Sequence, residues 1–273
     1  MNDTVLRVND LHVAYVKEDS VVEAVKGVDF SVSAGSVLAI IGGSGAGKSS
    51  VALAVAGLHD QRKARVTGKV ILEHDDIIQM SEDQLDDIRG ARVGMIFQDS
   101  RGALDPTMKV VNQVAEAIRR HHHLSREEAR TEALKRLHSA GVAKDLLRHA
   151  PYAHQLSSGL CQRVMISIAL AGDPILLVAD EPTGSLDLTR QAQIMRLLRE
   201  RVAASGLGMI LITHDLGLAT SIADDLLVMR GGSQVEYGPC EEVIKSPGHE
   251  YTNELFGLWR QTCFGKGKGH AHT

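Results

Sequence analysis

The segment Gly42-Gly43-Ser44-Gly45-Ala46-Gly47-Lys48-Ser49 satisfies G-x-x-x-x-G-K-[ST] at every fixed position. Glycines at that spacing let the backbone curl until several N–H groups point inward at phosphate oxygens. Lys48 reaches the β- and γ-phosphates, and the Ser49 hydroxyl is placed to ligate Mg²⁺. The chemistry is the binding of a nucleotide's phosphates. Four other stretches supply what hydrolysis of such a nucleotide needs. Asp180-Glu181 directly follows the apolar run ILLVA. A carboxylate there can hold the Mg²⁺ shell, and the next can polarise an attacking water. Gln98 leaves the run RVGMIF within reach of the metal or the water, and His214 leaves LIT with an imidazole that can bond a γ-phosphate. Leu156-Ser157-Ser158-Gly159-Leu160 opens a helix, and a helix start of Ser and Gly is an anion site of its own. Taken singly, Gln98 and His214 are ordinary loop residues and Ser157 an ordinary cap; they gain meaning from their company.

The elements that must carry these residues follow from local pattern. Val37–Ile41 has the length and content of a buried strand, and the Ala-rich helix after Lys48 stops near Gly57. Residues 4–16 alternate loosely and read as an edge strand, Val28–Val32 as a second strand, and Ala34-Gly35 as the turn before the phosphate-binding strand. Val66–Leu72 and HDDIIQM extend this β-rich, antiparallel N-terminal part. Ser81 with Gln84 and Ser125 with Glu128 are capping boxes, the first opening a short helix that ends by Gly90. From Asp99 to about Gly172 the pattern is helical. Residues 110–123 form one helix, a second carries Ala129, Ala133, Leu134 and Leu137 on one face and stops at Gly141, and a third follows LSSG. Strands return at 92–97, 175–179 and 208–213, a helix covers 190–204, and 225–230 with 234–237 close a hairpin across Gly231-Gly232. Apolar strands alternating with helices indicate a largely parallel sheet.

Composition excludes other classes. The 273 residues are 44% hydrophobic and 23% charged, which suits a globular chain with a sizeable core. The formal charge of −4 gives no support for nucleic-acid binding. No apolar run approaches the roughly 18–20 residues of a membrane span, and MNDTVLRVND lacks the charged-then-apolar pattern of a signal peptide. Cys161, Cys240 and Cys263 share no metal-ligand spacing and read as reduced thiols. His121-His122-His123 and the tail residues His270 and His272 fix no coordination geometry and read as solvated. The final GKGKGHAHT reads as disordered.

The order of these motifs, from about Leu6 to Tyr237, resembles the ATP-binding subunits of ABC transporters: phosphate loop, Gln98, the signature-like LSSGL, Asp180-Glu181, SLD at Ser185 to Asp187, then His214. The resemblance implies an α/β fold with a P-loop NTPase (RecA-like) core, an N-terminal antiparallel β subdomain and an inserted α-helical subdomain at about 99–172. The ATP-binding domain would span 1–240, and 241–273 would be a C-terminal extension with a flexible tail. It also implies a head-to-tail dimer in which each ATP is clamped between one subunit's phosphate loop and the other's signature. Nucleotide contacts would come from Tyr15, stacked on adenine, from Gly42, Gly43, Ser44, Gly45, Ala46, Gly47, Lys48, Ser49 and Ser50, and from Ser157, Ser158, Gly159 and Asp187. Ser49, Gln98 and Asp180 would hold Mg²⁺, and Glu181, His214 and Gln98 would act in catalysis.

A narrower resemblance, in FQDSRGALDP, HQLSSGLCQRVMISIAL and SPGHEYTNEL, is to the peptide and nickel importer branch, with Glu250 where that branch usually has proline. It implies a second ABC ATPase subunit, two transmembrane permease subunits, an external solute-binding protein, and a peripheral place on the cytoplasmic face of the cell (inner) membrane. The function implied is energising import of peptides or a related small solute, nickel or a metal chelate included. The alternative is a non-transport ABC ATPase such as a phosphonate-degradation accessory subunit. The usual signature is LSGG. Ser158 in place of its first glycine is expected to weaken it, because serine tolerates positive φ less well and its side chain takes space beside a phosphate.

Overall fold

The computed structural model of the chain describes residues 3–17, 20–184 and 186–264, without the side chains of Lys17 and residues 261–264. Ser185, the GKGKGHAHT tail with His270 and His272, and the Cys263 thiol lie outside the described residues. In chain order, β1 (Thr4–Lys17), β2 (Ser20–Ser33) and β3 (Val37–Gly42) lead to α1 (Lys48–Val55). Then come β4 (Ala64–Leu72), β5 (Asp75–Asp76), α2 (Glu82–Ile88) and β6 (Val93–Ile96). Four helices follow: α3 (Val110–His121), α4 (Arg126–Ser139), α5 (Lys144–Arg148) and α6 (Ser158–Ala169). The remainder is β7 (Leu176–Asp180), α7 (Leu188–Ser205), β8 (Gly208–Ile212), α8 (Leu216–Ile222), β9 (Asp225–Arg230), β10 (Ser233–Pro239), α9 (Cys240–Lys245) and α10 (Glu250–Phe264).

Two sheets form. One is antiparallel, in the order β2-β1-β4-β5. The other runs β10-β9-β3-β8-β7-β6 and is parallel except for β10. β3 lies inside it and every one of its residues is buried. Successive side chains of a strand point to opposite faces. Leu38 and Ile40 therefore pack on α1 and the antiparallel sheet, while Ala39 and Ile41 pack against Leu216, Val243 and Phe256 on the other side. The helical insert has its own core, where Val110, Val114 and Ile118 of α3 meet Ala129, Ala133 and Leu137 of α4. α6 belongs to both units: Cys161 and Val164 face that core, and Met165, Ile166 and Ala169 face the central sheet.

Several expectations are met residue by residue. Both capping boxes form, with Ser81 and Ser125 each accepting from the N–H three residues on. After α1, the Leu58 N–H donates to Leu53 O and the Gly57 N–H to Ala54 O, the bond pair that ends a helix at a glycine. Others are corrected. β1 is not an edge strand: it pairs with β2 on one side and β4 on the other. Its alternation is loose because register shifts between Val8 and Leu11, with Asp10 at φ 46°, interrupt the two-residue period. Of HDDIIQM only Asp75-Asp76 is strand; the Asp76 carboxylate accepts from the Ile78 N–H and turns Ile77–Gln79 into a single 3₁₀ turn. The residues after Leu156-Ser157 are already helical. Ser158 is the first residue of α6 and is absent from the positive-φ positions, so the expected backbone penalty of its serine does not arise. Among the described residues no helix is long and apolar enough to cross a membrane, and no group of His, Cys, Asp and Glu is arranged to hold a metal ion.

Phe256 ties α10 to the back of β3 and is fully buried. Phe256→Ala is expected to cost about 3–5 kcal/mol of stability through lost burial and the cavity left, read as a lower urea midpoint. A loss below about 1 kcal/mol contradicts that packing.

Candidate nucleotide site

β3, β6, β7 and β8 run the same way, so the residues that follow them emerge together at the carboxyl edge of the sheet. Ligands of open parallel sheets bind at that edge. Here an open cleft of about 550 Å³ is lined by Ala24, residues 44–50, Gln98, Glu181 and His214. Sequence reasoning named every one of these except Ala24, whose place in the cleft depends on β2 passing beside the loop.

The loop conformation requires its glycines. Gly42 has φ 152°, and a Cβ there would stand 2.2 Å from Met229 O of β9. Gly47 has φ 94°, and its Cβ would stand 2.2 Å from Ala24 O. Two neighbouring strands thus press on the loop at both ends. Between them the Lys48 ammonium folds back and donates to Gly42 O and Gly43 O, each at 2.9 Å. Burial pulls the Lys48 pKa below its ordinary value, while the charges of Glu181 and Asp180 oppose that shift.

Asp180 ends β7, 8% exposed, with Oδ1 buried and without a hydrogen-bond partner. Burial, helped by Glu181, pushes its carboxyl above the ordinary value against the hydrogen bond from Ser49 and the charge of Lys48. An orphaned buried carboxylate oxygen beside a serine hydroxyl is a donor set that suits a hard divalent cation. Glu181 follows in a left-handed conformation, φ 45°, with its N–H bonded to Ile212 O at 2.9 Å. A non-glycine residue held there costs on the order of 1–3 kcal/mol and persists only where its surroundings over-determine it. The strain turns its carboxylate into the cleft. Gln98 Nε2 donates to Oε2 at 2.9 Å, and His214 Nδ1 meets Oε1 at 3.1 Å. A carboxylate only accepts, so the ring proton sits on Nδ1. To donate to a phosphate oxygen the imidazole must release Glu181 or take a second proton.

The remaining expected contacts lie elsewhere. Tyr15 does not line the cleft; its hydroxyl donates to Ser50 Oγ at 3.2 Å while its ring packs on the core. Ser157, Ser158 and Gly159 are also outside the cleft. A Cβ on Gly159 would face Leu186 and Arg190 at the start of α7, where Asp187 is the N-cap and accepts from the Arg190 N–H at 3.0 Å. Arg101, three residues beyond Gln98, donates to Leu156 O at 2.8 Å and so ties the Gln98 loop to the signature stretch. Cys161 and Cys240 are buried free thiols away from the site, and burial with nearby carboxylates raises Cys240 to about 11.

The phosphate loop, Gln98 and the carboxylate pair of this arrangement lie in a span that matches a known family. Residues 25–184 match the family described as ABC transporter. The chain belongs to the ABC transporter family. It is 40% identical over 256 residues to the dipeptide transport ATP-binding protein DppD of Bacillus subtilis (strain 168), covering 93% of this chain and 76% of that one. It is 39% identical over 254 residues to the oligopeptide transport ATP-binding protein OppD of Lactococcus lactis subsp. cremoris (strain SK11), covering 93% and 75%. The solved dimer of the ATP-binding cassette MJ0796, in a post-hydrolysis state bound to ADP and Pi, matches with a TM-score of 0.77 at 27% identity, over 86% of this chain and 98% of that one. As an ABC cassette the chain binds ATP and hydrolyses it to ADP and phosphate.

With Glu181 replaced by its uncharged isostere, Glu181→Gln, ATP affinity is expected to stay within about threefold while turnover falls by about 10²-fold or more, the usual contribution of a general base. ATP titration and phosphate release measure the two. Retained turnover removes Glu181 from the water-activating role.

Proposed function

We propose that this cassette is the energising subunit of an importer for peptides or a related small solute. The observation that carries this reading is the pair of dipeptide and oligopeptide transport relatives at about 40% identity across 93% of the chain. In the proposed reaction a water attacks the γ-phosphorus, the bond to the β–γ bridging oxygen breaks, and ADP and phosphate leave. Glu181 polarises the water and takes its proton, Gln98 and His214 orient the carboxylate, and Lys48 leaves the loop carbonyls for the β- and γ-phosphates. Ser49 and Asp180, with Gln98, would hold Mg²⁺, which supplies charge neutralisation at the phosphates. Little covalent chemistry is required of the protein; positioning and charge stabilisation carry the rate.

The chain's own Ser157–Gly159 lies outside its own cleft, which supports closure by the signature of a second ATPase subunit. The proposed assembly adds two transmembrane permeases and an external solute-binding protein, and places this chain peripherally on the cytoplasmic face of the membrane. The cassette then comprises residues 1–240 with the helical insert at about 99–172, and 241–273 extends it. Ser158 serves the ATP bound by the partner. With the backbone argument removed, its side chain is the remaining reason for a weaker signature.

Affinity purification of the tagged chain from its native membrane is expected to retrieve two membrane-spanning subunits and a second cassette; retrieval with a soluble enzyme complex instead contradicts import. In the assembled complex Ser158→Gly is expected to raise ATP hydrolysis. An unchanged or lower rate contradicts the weakened signature.

A further inference from the structure

The C-terminal segment hydrogen-bonds to the phosphate loop. The Gly43 N–H donates to the Tyr251 hydroxyl oxygen at 3.2 Å, across 208 residues of sequence. That N–H belongs to the same peptide group as Gly42 C=O, which accepts from Lys48 Nζ at 2.9 Å. A planar trans peptide points its N–H and C=O in opposite directions. Anchoring both ends fixes its rotation, and with it the direction in which the start of the loop presents its polar groups. The tyrosine is itself held from several sides. Arg230, which ends β9 beside Gly42, places its guanidinium 4.8 Å from the Tyr251 ring centroid. His249 Nδ1 accepts the Tyr251 N–H at 3.0 Å, capping α10 from the residue before it. Glu236 of β10 accepts from the Gly248 N–H at 2.7 Å and the His249 N–H at 3.2 Å, which sets the turn that aims α10. The next residue, Thr252, and Phe256 one turn beyond it are fully buried, Phe256 packed with Ala39 and Ile41 of β3. The strand that ends in Gly42 and the helix that delivers Tyr251 therefore share one packed layer. Glu250 occupies the first helical position, where proline is also at home, so that departure leaves this geometry in place.

We infer that Tyr251 is a positioning residue for ATP: its hydroxyl holds the Gly42–Gly43 peptide in the orientation that receives the phosphates, making the C-terminal extension a strut of the nucleotide site. When Lys48 moves from the Gly42 and Gly43 carbonyls to the nucleotide, the peptide loses the ammonium on its carbonyl side and keeps the Tyr251 hydroxyl on its N–H, beside the pairing of Gly42 with Met229. The tyrosine touches no substrate in this arrangement; it acts through the loop. The segment that follows the cassette is then coupled to ATP affinity by a single hydrogen bond, with packing as the support that places it.

The test is Tyr251→Phe in the full chain. Phenylalanine keeps the ring, its packing and the Arg230 contact, and removes only the acceptor. Calorimetric titration with ATP is expected to give a Kd about three- to tenfold higher than the parent, the range of one net hydrogen bond. Amide exchange at Gly43, followed by NMR without nucleotide, is expected to quicken. An unchanged Kd, or unchanged exchange at Gly43, overturns the inference whatever happens to the thermal midpoint. A role limited to packing predicts both null results, since the ring is retained. Lys48→Ala, titrated in parallel, checks the nucleotide site independently: ATP binding by the parent and its loss in that variant establish the site even if Tyr251→Phe behaves as the parent.

Discussion

The nucleotide site depends on two backbone approaches too close for any side chain. At Gly42 the loop passes Met229 O of β9, and at Gly47 it passes Ala24 O of β2, each leaving 2.2 Å where a Cβ would sit. Both constraints come from outside the loop. β9 is held to β3 by parallel pairing from Leu38 to Gly42, and β2 reaches the loop from the antiparallel sheet that shares a core with α1. The loop's curl is consequently a result of how two sheets and one helix pack, and glycine is the residue that permits it. Lys48, Ser49 and the N-terminus of α1 take their places from that curl.

Polar groups of the site are occupied by neighbours within the chain. Lys48 is bonded to the loop carbonyls, and Glu181 is held by Gln98 and His214. In the proposed reaction ATP exchanges these internal contacts for contacts to phosphate, so part of the interaction energy would replace bonds already present. The strained φ of Glu181 is stored beside them. Asp180 is the exception, with one buried oxygen unmatched, and it stands where a cation would satisfy it. Polar groups satisfied before ligand arrives, next to one that is not, describe a site prepared for a charged ligand.

What the sequence made legible was local. The phosphate loop, both capping boxes, the glycine stop after α1 and the buried strands β3, β7 and β8 are each set by residues within a few positions of one another, and the structure has them where the pattern put them. What it hid was pairing and distance. The interior place of β1 depends on β4, some 50 residues away in sequence, and β1's own broken alternation looked like an edge. Asp76 ended the strand pattern of HDDIIQM through a side-chain cap that composition alone does not announce. α8, α9 and α10 went unread because their apolar residues complete a shared layer with β3 instead of a long amphipathic face of their own. Within the site, the residues that follow parallel strands could be grouped from sequence, since topology alone brings them to one edge. Ala24 and Tyr251 could not, because only the packed fold brings residues so distant to the same loop. The backbone part of the expected penalty at Ser158 failed for a simpler reason: the helix starts at Ser158, two residues earlier than a start after LSSG, and there serine is unstrained.

In the proposed assembly the site so built is half of a working one: the cleft is lined from within the chain, while Gly159 of its signature stretch lies outside it, beside Leu186 and Arg190. The most direct measurement is ATP-dependent disulfide trapping in the assembled complex, with Ser158→Cys in this chain and a cysteine in the phosphate loop of the second cassette. An inter-subunit crosslink that forms with ATP and is lost without it is expected. A crosslink that instead closes within one chain, between Ser44→Cys and Ser158→Cys, would contradict it.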